Sequence, residues 1–452
     1  WLKSRRSHAR QCSKLSKQSP PGPLGSTTQP VTSKMQRLCV GLFLSAGFAA
    51  LSPLPAAGDL GAALRRSSSE APAALPADAP LSASIVVPLR RVAAHVDEED
   101  APGAGASFYV GTVSVGHPAQ VLDVSFDTAS GHVLLPHRAC RSAACLEHRR
   151  FSPWESTTAM DINMNGTAVR QGERLAHGGG VRDAVSLSYT QSDLGTGDAK
   201  GVLVRDSVCM ASGACVDMAI LAATSLDEEP FRAMPNDGIV GLGLESLAAG
   251  PFCSFLGRLF EGSKSVQPQF GIALGAESGE LHFGGHDRAP LASPLQWFPV
   301  DHPDDGFWQV AIQAVRVGGV TVIDCGQGCH GIVDTGVSRL GVQKSNLAAL
   351  TVALAASSSE VGGCQGPDLT LDLGGMSLIL SAADYADDEC HVQLGALDLE
   401  EPEYRGVFAL GAGVLRRYYA AFDWEQRRLA FAPIASEKGP SNTEVGEELL
   451  VV

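Results

Sequence analysis

The sequence predicts a mainly β protein made of two lobes of similar design, with only a few short helices. Three observations carry that prediction. Short apolar–polar alternations recur from Phe108 onward, among them Tyr109–Val115, Val121–Phe126, Val185–Tyr189 and Gly201–Arg205, and period-two patterning is strand chemistry. The chain spends 50 glycines, which suits many tight turns between short strands. There is also a degenerate repeat: Ser125-Phe-Asp127-Thr-Ala-Ser130 returns as Ile332-Val-Asp334-Thr-Gly-Val337. Each copy precedes a second apolar pair ending in glycine, Ile239-Val-Gly241 and Ala409-Leu-Gly411, so two lobes are expected. Helical periodicity is confined to about Leu244–Phe260 and Ser345–Ala355.

Taken in chain order, residues 1–34 are polar and basic and read as an upstream non-structural extension before Met35. Residues 35–58 have Arg37, the apolar run Leu38–Leu51 and small residues near Ala57, the pattern of a secretory signal peptide. That run falls short of the roughly 20 residues a membrane span needs, so no stable span is expected. Residues 59–98 are rich in Ala, Pro and Ser and read as a pro-segment or linker, with one strand-like basic stretch, Ser84–Arg91. An N-terminal β lobe with Asp127 is expected over 99–295, a C-terminal β lobe with Asp334 over 296–436, and an acidic disordered tail over 437–452.

The 452 residues are 44 % hydrophobic, enough for real cores. The net charge of −15 understates the imbalance, because residues 97–452 alone carry −24. Such a body repels nucleic acid and anionic membranes. Of eleven cysteines, those beyond the leader fall into local pairs by spacing, Cys140 with Cys145, Cys209 with Cys215, Cys325 with Cys329 and Cys364 with Cys390, as suits an oxidising compartment. Cys253 is left over, among Phe252, Phe255 and Leu256, and reads as a buried inert thiol. None of the cysteines has zinc-site spacing, and His282 and His286 flank Phe283-Gly-Gly285 as turn histidines, so no metal is expected.

The repeated aspartates carry the chemistry. A carboxylate on a tight loop after a buried strand is costly unless its charge is used or shared. Two such loops related by a two-fold axis bring two carboxylates together; they cannot both ionise, so the pair holds one proton. One can then serve as general base on water and the other as acid toward a carbonyl oxygen, without cofactor or covalent intermediate.

Around these aspartates the chain resembles the pepsin-like aspartic peptidases, from about Ser107 to Pro433. Cys325-Gly-Gln-Gly-Cys329-His-Gly-Ile-Val-Asp334-Thr-Gly336 is similar to that family's second catalytic loop, and Asn236-Asp-Gly-Ile-Val-Gly-Leu-Gly243 to the segment behind the first. Gly284-Gly285, Gly306-Phe-Trp308 and Arg417-Tyr-Tyr419-Ala-Ala-Phe-Asp423 match further landmarks. The resemblance implies a bilobal acid-protease fold and a catalytic dyad of Asp127 and Asp334. Ser130 would hydrogen-bond Asp127, and Thr128 and Thr335 would tie the loops together, with Gly336 closing the second. It implies an aspartic endopeptidase acting as a monomer on peptide or protein substrates, and the signal peptide directs the chain into the secretory pathway, to an extracellular or vacuolar, lysosome-like destination.

Several positions depart from the family. Ala129 stands for a glycine beside the water site, and Val337 for a threonine or serine that would mirror Ser130. The flap threonine–glycine stretch, Gly195-Thr196-Gly197, follows an insertion of Thr190–Leu194. Strand phase gives Tyr189 as the flap tyrosine, whereas alignment from the glycines gives Leu194. Its usual tryptophan partner is Leu134, and Ala412 replaces an aspartate of the second lobe. These changes favour a second reading, a catalytically impaired homologue that binds peptides.

Overall fold

The structure is a computed structural model that describes residues 85–96, 105–169, 182–192, 194–286, 291–359, 362–397 and 406–435. The extension, the signal peptide, most of the pro-segment and the acidic tail lie outside the described residues. What is described is strand-dominated, with five short α-helices, the longest being Lys344–Ala353. The expected fold class is therefore the one found, and no described helix is long and apolar enough to cross a membrane.

The strands form because their apolar residues alternate. In Ile85–Ala93 the side chains of Ile85, Val87 and Leu89 are buried while Pro88 and Arg90 face outward, the half-buried pattern of a sheet face. This stretch, assigned above to the pro-segment, is built into the sheet. It pairs antiparallel with Ser278–Phe283 on one side and Ser107–Val115 on the other. Arg90 lies 2.7 Å from Asp123.

Two sheets organise the described chain, one of 14 strands and one of seven. The repeat seen in the sequence is a repeat of topology. In the first copy Gln120–Asp127 runs parallel to Gly238–Gly241, which also pairs antiparallel with Val133–Pro136. In the second, the strand Val320–Val333 runs parallel to Val407–Leu410, which pairs antiparallel with Leu340–Gln343. The glycine that ends each middle strand has a packing reason. A Cβ on Gly241 would stand 2.6 Å from the carbonyl oxygen of Ser130, and one on Gly411 would stand 2.7 Å from that of Val337. Both are contacts that no side chain tolerates, so the two aspartate loops close tightly only over glycine.

Strands Gln296–Pro299, Tyr418–Asp423 and Arg428–Pro433 return to the larger sheet. Lobes bounded at 99–295 and 296–436 are thus a proposal about division along the chain rather than a separation of sheets. Trp308, fully buried, joins the two halves: its indole donates to the Leu242 carbonyl at 2.8 Å, and its own carbonyl accepts from the Val333 amide at 2.8 Å. The helical stretch expected near Leu244–Phe260 is broken by Pro251, which cannot continue a helix, and the regular helix begins at Phe255, capped by Ser254. All four expected disulfides form. Cys253 is free and buried, and burial pushes its thiol up to about 12.

Candidate active site

Asp127 ends the strand Gln120–Asp127, and Asp334 follows the strand Val320–Val333 by one residue. Each aspartate is fixed by the amide two residues on: the Ala129 N–H donates to Asp127 Oδ1 at 2.8 Å, and the Gly336 N–H to Asp334 Oδ1 at 2.9 Å. Beneath them the threonines cross. The Thr128 amide donates to Thr335 Oγ1 and the Thr335 amide to Thr128 Oγ1, both at 3.1 Å. The hydroxyl of Thr128 donates on to the Val333 carbonyl at 2.7 Å, and that of Thr335 to the Phe126 carbonyl. Four hydrogen bonds thus lock two loops 207 residues apart in sequence. A buried, fully partnered network of this kind fixes position more firmly than its separate bonds would.

The carboxylates converge. A point one methyl out from Gly336 lies 3.1 Å from Asp334 Oδ1 and 3.2 Å from Asp127 Oδ1. Protein encloses both groups, although each keeps part of its surface open to the cleft. Their electrostatics differ. Burial raises the pKa of Asp127 against the opposing pull of the Ala129 amide and the Ser130 hydroxyl. Asp334 is raised well above the usual carboxylate range by burial and then by the negative charge of Asp127, with only the Gly336 amide opposing. Of the two, Asp334 is the better proton holder. The titration nevertheless belongs to the pair as a unit.

Ser130 is buried beside Asp127 and near enough to lower its pKa, but its hydroxyl does not reach full hydrogen-bond geometry. Val337 offers Asp334 nothing comparable, because its side chain is buried among Leu397, Val407 and Ala409. Ala412 is buried and its amide donates to the Val337 carbonyl at 2.9 Å.

Over the dyad stands the hairpin of Val185–Gln191 and the strand Gly195–Met210, with Tyr189 opposite Gly197, Thr190 opposite Thr196 and Gln191 opposite Gly195. Its placement separates the two flap candidates. Tyr189 has a buried, unpartnered hydroxyl whose ionisation is opposed by burial and by the charge of Asp127. Leu194 instead packs into an apolar cluster with Leu134, Leu187 and Phe231. Leu134 supplies no hydrogen bond to the tyrosine; the Tyr189 ring meets Phe231 edge-on, with centroids 5.6 Å apart. Thr196 is exposed and its hydroxyl lies 3.0 Å from that of Thr190. Gly197 backs against the main chain of Glu229, where a side chain has no room.

Sequence reasoning missed Gln191. It sits in the insertion Thr190–Leu194, is 7 % exposed, and its side-chain amide donates to the Gly336 carbonyl on the second aspartate loop. The hairpin is therefore closed across the cleft. The signal was present in strand parity, since residues 187, 189 and 191 share a face, but an insertion offers no family position to read.

Two neighbouring carboxyl groups that share a proton can move protons to and from a water and a carbonyl oxygen. The comparisons agree with that chemistry. The family model for eukaryotic aspartyl protease matches residues 108–193 and 190–434. Cathepsin E of Oryctolagus cuniculus is 29 % identical over 344 residues, covering 72 % of this chain and 80 % of its own length. Gastricsin of Cavia porcellus is 30 % identical over 343 residues, with the same coverage. Pepsin-2B of Gadus morhua is 28 % identical over 341 residues and is covered over 96 % of its length. With the match running through both aspartate loops and both halves of the larger sheet, the chain belongs to the eukaryotic aspartyl protease family.

Proposed function

We propose that this chain is an aspartic endopeptidase that hydrolyses peptide bonds of extended substrates through a water activated by Asp127 and Asp334. The carrying observation is the pair of aspartates brought together on loops that are cross-linked by Thr128 and Thr335. Ionised Asp127 takes a proton from the water as its oxygen attacks the peptide carbonyl carbon. Protonated Asp334 gives its proton to the carbonyl oxygen. The tetrahedral intermediate collapses when the amine takes a proton from Asp127 and the C–N bond breaks, while the gem-diol hydroxyl returns a proton to Asp334. No proton is gained or lost over the cycle. Substrate would lie under the hairpin that carries Tyr189, Gly195, Thr196 and Gly197, with Leu134 in the apolar cluster behind it. A monomer in the secretory route fits the four disulfides and the family; extracellular and vacuolar destinations fit equally.

A second reading, a peptide-binding homologue without turnover, is favoured by two observations. Ala129 adds a methyl on the first loop where the second has Gly336, and Gln191 already occupies the Gly336 carbonyl. Cleavage of unfolded globin between about pH 3 and 6 by the full chain, beside an Asp127→Asn variant and a statine inhibitor, separates them. Cleavage abolished by both the variant and the inhibitor supports the peptidase. A folded chain that binds the inhibitor and never cleaves overturns it.

A further inference from the structure

Away from the dyad, three side chains from two separate segments converge at the base of the second catalytic strand. Asp301 and His302 lie in the turn after the strand Gln296–Pro299, and His330 lies in the strand Val320–Val333, four positions before Asp334. The His330 Nδ1 is 2.7 Å from Asp301 Oδ2, the His302 Nε2 is 3.6 Å from Asp301 Oδ1, and the two imidazoles meet edge-on at 5.2 Å. One ligand atom from each residue lies within 4.8 Å of the others. We propose that Asp301, His302 and His330 form a site for a divalent transition metal of the zinc class, with solvent in the fourth position.

The chemistry selects that class. Two imidazole nitrogens and one carboxylate oxygen are a common three-ligand set for Zn²⁺, with donors at about 2.0–2.2 Å and one open position. Calcium and magnesium call for oxygen-rich shells, which this trio does not offer. The side chains are partly open, His302 at 63 % and Asp301 at 30 %, so an ion can enter and water can complete the shell. The backbone is already fixed on both sides: the Asp301 amide donates to the Gln309 carbonyl at 2.9 Å, and the His330 amide to the Gly406 carbonyl at 3.0 Å. Binding then needs only side-chain rotation, with the His330–Asp301 hydrogen bond exchanged for two metal bonds. His282 and His286, the pair whose spacing drew attention in the sequence, go elsewhere: the first to Glu280 and the second against Trp297.

An ion here would tie the strand that enters the second catalytic loop to the turn that leads to Trp308. It does not rest on the peptidase reading, and its effect would be seen first in the stability of this part of the fold.

Titration calorimetry of the full chain with Zn²⁺ at pH 7, where free imidazole is mostly neutral, tests the site. The expected result is one equivalent bound, with affinity falling at least tenfold in His302→Ala and in His330→Asn, the scale seen when a metal's ligand support is disturbed. Circular dichroism establishes that each variant is folded, and exposed His302 can be removed without touching the core. Co²⁺ in place of Zn²⁺ should give a visible absorption band in the parent chain and none in His302→Ala. Unchanged affinity in both variants, no binding by the parent, or binding that disappears in Asp127→Asn while surviving in His302→Ala overturns the proposal.

Discussion

The two aspartate loops are copies in backbone and differ in side chains. The first reads Asp127-Thr-Ala-Ser130, the second Asp334-Thr-Gly-Val337. Their threonines cross symmetrically at 3.1 Å, and each aspartate takes one amide from two residues on. Beyond that frame the symmetry ends. The first loop has the buried hydroxyl of Ser130, a methyl at Ala129, and the buried His132 five residues after its aspartate. The second has a buried valine, a bare glycine, and Arg339 at the corresponding distance. The shared backbone brings the two carboxylates together, and the unshared side chains make their surroundings unequal. The Ala129 amide and then the nearby Ser130 hydroxyl oppose the rise at Asp127, whereas at Asp334 only the Gly336 amide does so.

The largest test of this asymmetry concerns stability. Burial lowers the pKa of His132 to about 4 from 6.5. A depressed folded-state pKa contributes stability that is present above the unfolded value and is lost as pH falls toward the folded one. His132 should therefore remove about 3 kcal/mol between pH 6.5 and 4, at 1.36 kcal/mol per unit. In His132→Asn, denaturant unfolding at several pH values should show that loss flattened. The dyad works in the opposite sense: its raised pKa values contribute stability at low pH that is lost as pH rises, so Asp334→Asn should be more stable than the parent near neutrality.

Next comes the methyl. Gly336→Ala would place a carbon 3.1 Å from Asp334 Oδ1 and 3.2 Å from Asp127 Oδ1, opposite the methyl that Ala129 already contributes. We expect kcat to fall about 100-fold, the scale of an ångström-sized misplacement. Ala129→Gly should move kcat in the other direction. If both changes leave kcat unaltered, the methyl positions do not matter and the contrast between the loops is weaker than drawn.

Val337→Thr supplies the hydroxyl the second loop lacks. A hydrogen bond to the charged form of Asp334 lowers its pKa, so the basic limb of the kcat/KM profile should move to lower pH by about one unit, equivalent to a charge-assisted bond. The smallest effect is at the flap. Gln191→Ala removes the contact to the Gly336 carbonyl that substrate must displace, worth about 1 kcal/mol. KM should fall about fivefold with kcat unchanged; a rise in KM would instead make Gln191 a substrate contact.

The parts of this arrangement that were legible in the sequence are local ones. Each aspartate loop announces itself within six residues by an apolar strand, Asp-Thr and a small residue, and each middle strand by an apolar pair before glycine. The four disulfides were legible because the partners are close in sequence, 26 residues at most. What could not be read depends on chain-distant approach. The place of the strand Ile85–Ala93 in the sheet could not be read because its partner Ser278–Phe283 lies nearly 200 positions away, and nothing in its own residues names that partner. Gln191 was hidden in an insertion, and its acceptor is a backbone carbonyl, which leaves no mark on composition. The Asp301, His302 and His330 trio was invisible for the same reason, since only the fold brings the turn and the strand together.

Binding of a statine inhibitor as a function of pH, measured for the parent, Asp334→Asn and Asp127→Asn, asks most directly which carboxyl holds the proton. Asparagine has the shape of a protonated aspartate, so if Asp334 carries the shared proton, Asp334→Asn should keep its affinity above the pH at which the parent loses it, while Asp127→Asn should bind weakly throughout. The reverse pattern, with Asp127→Asn retaining affinity at high pH, would place the proton on the first loop and contradict the account.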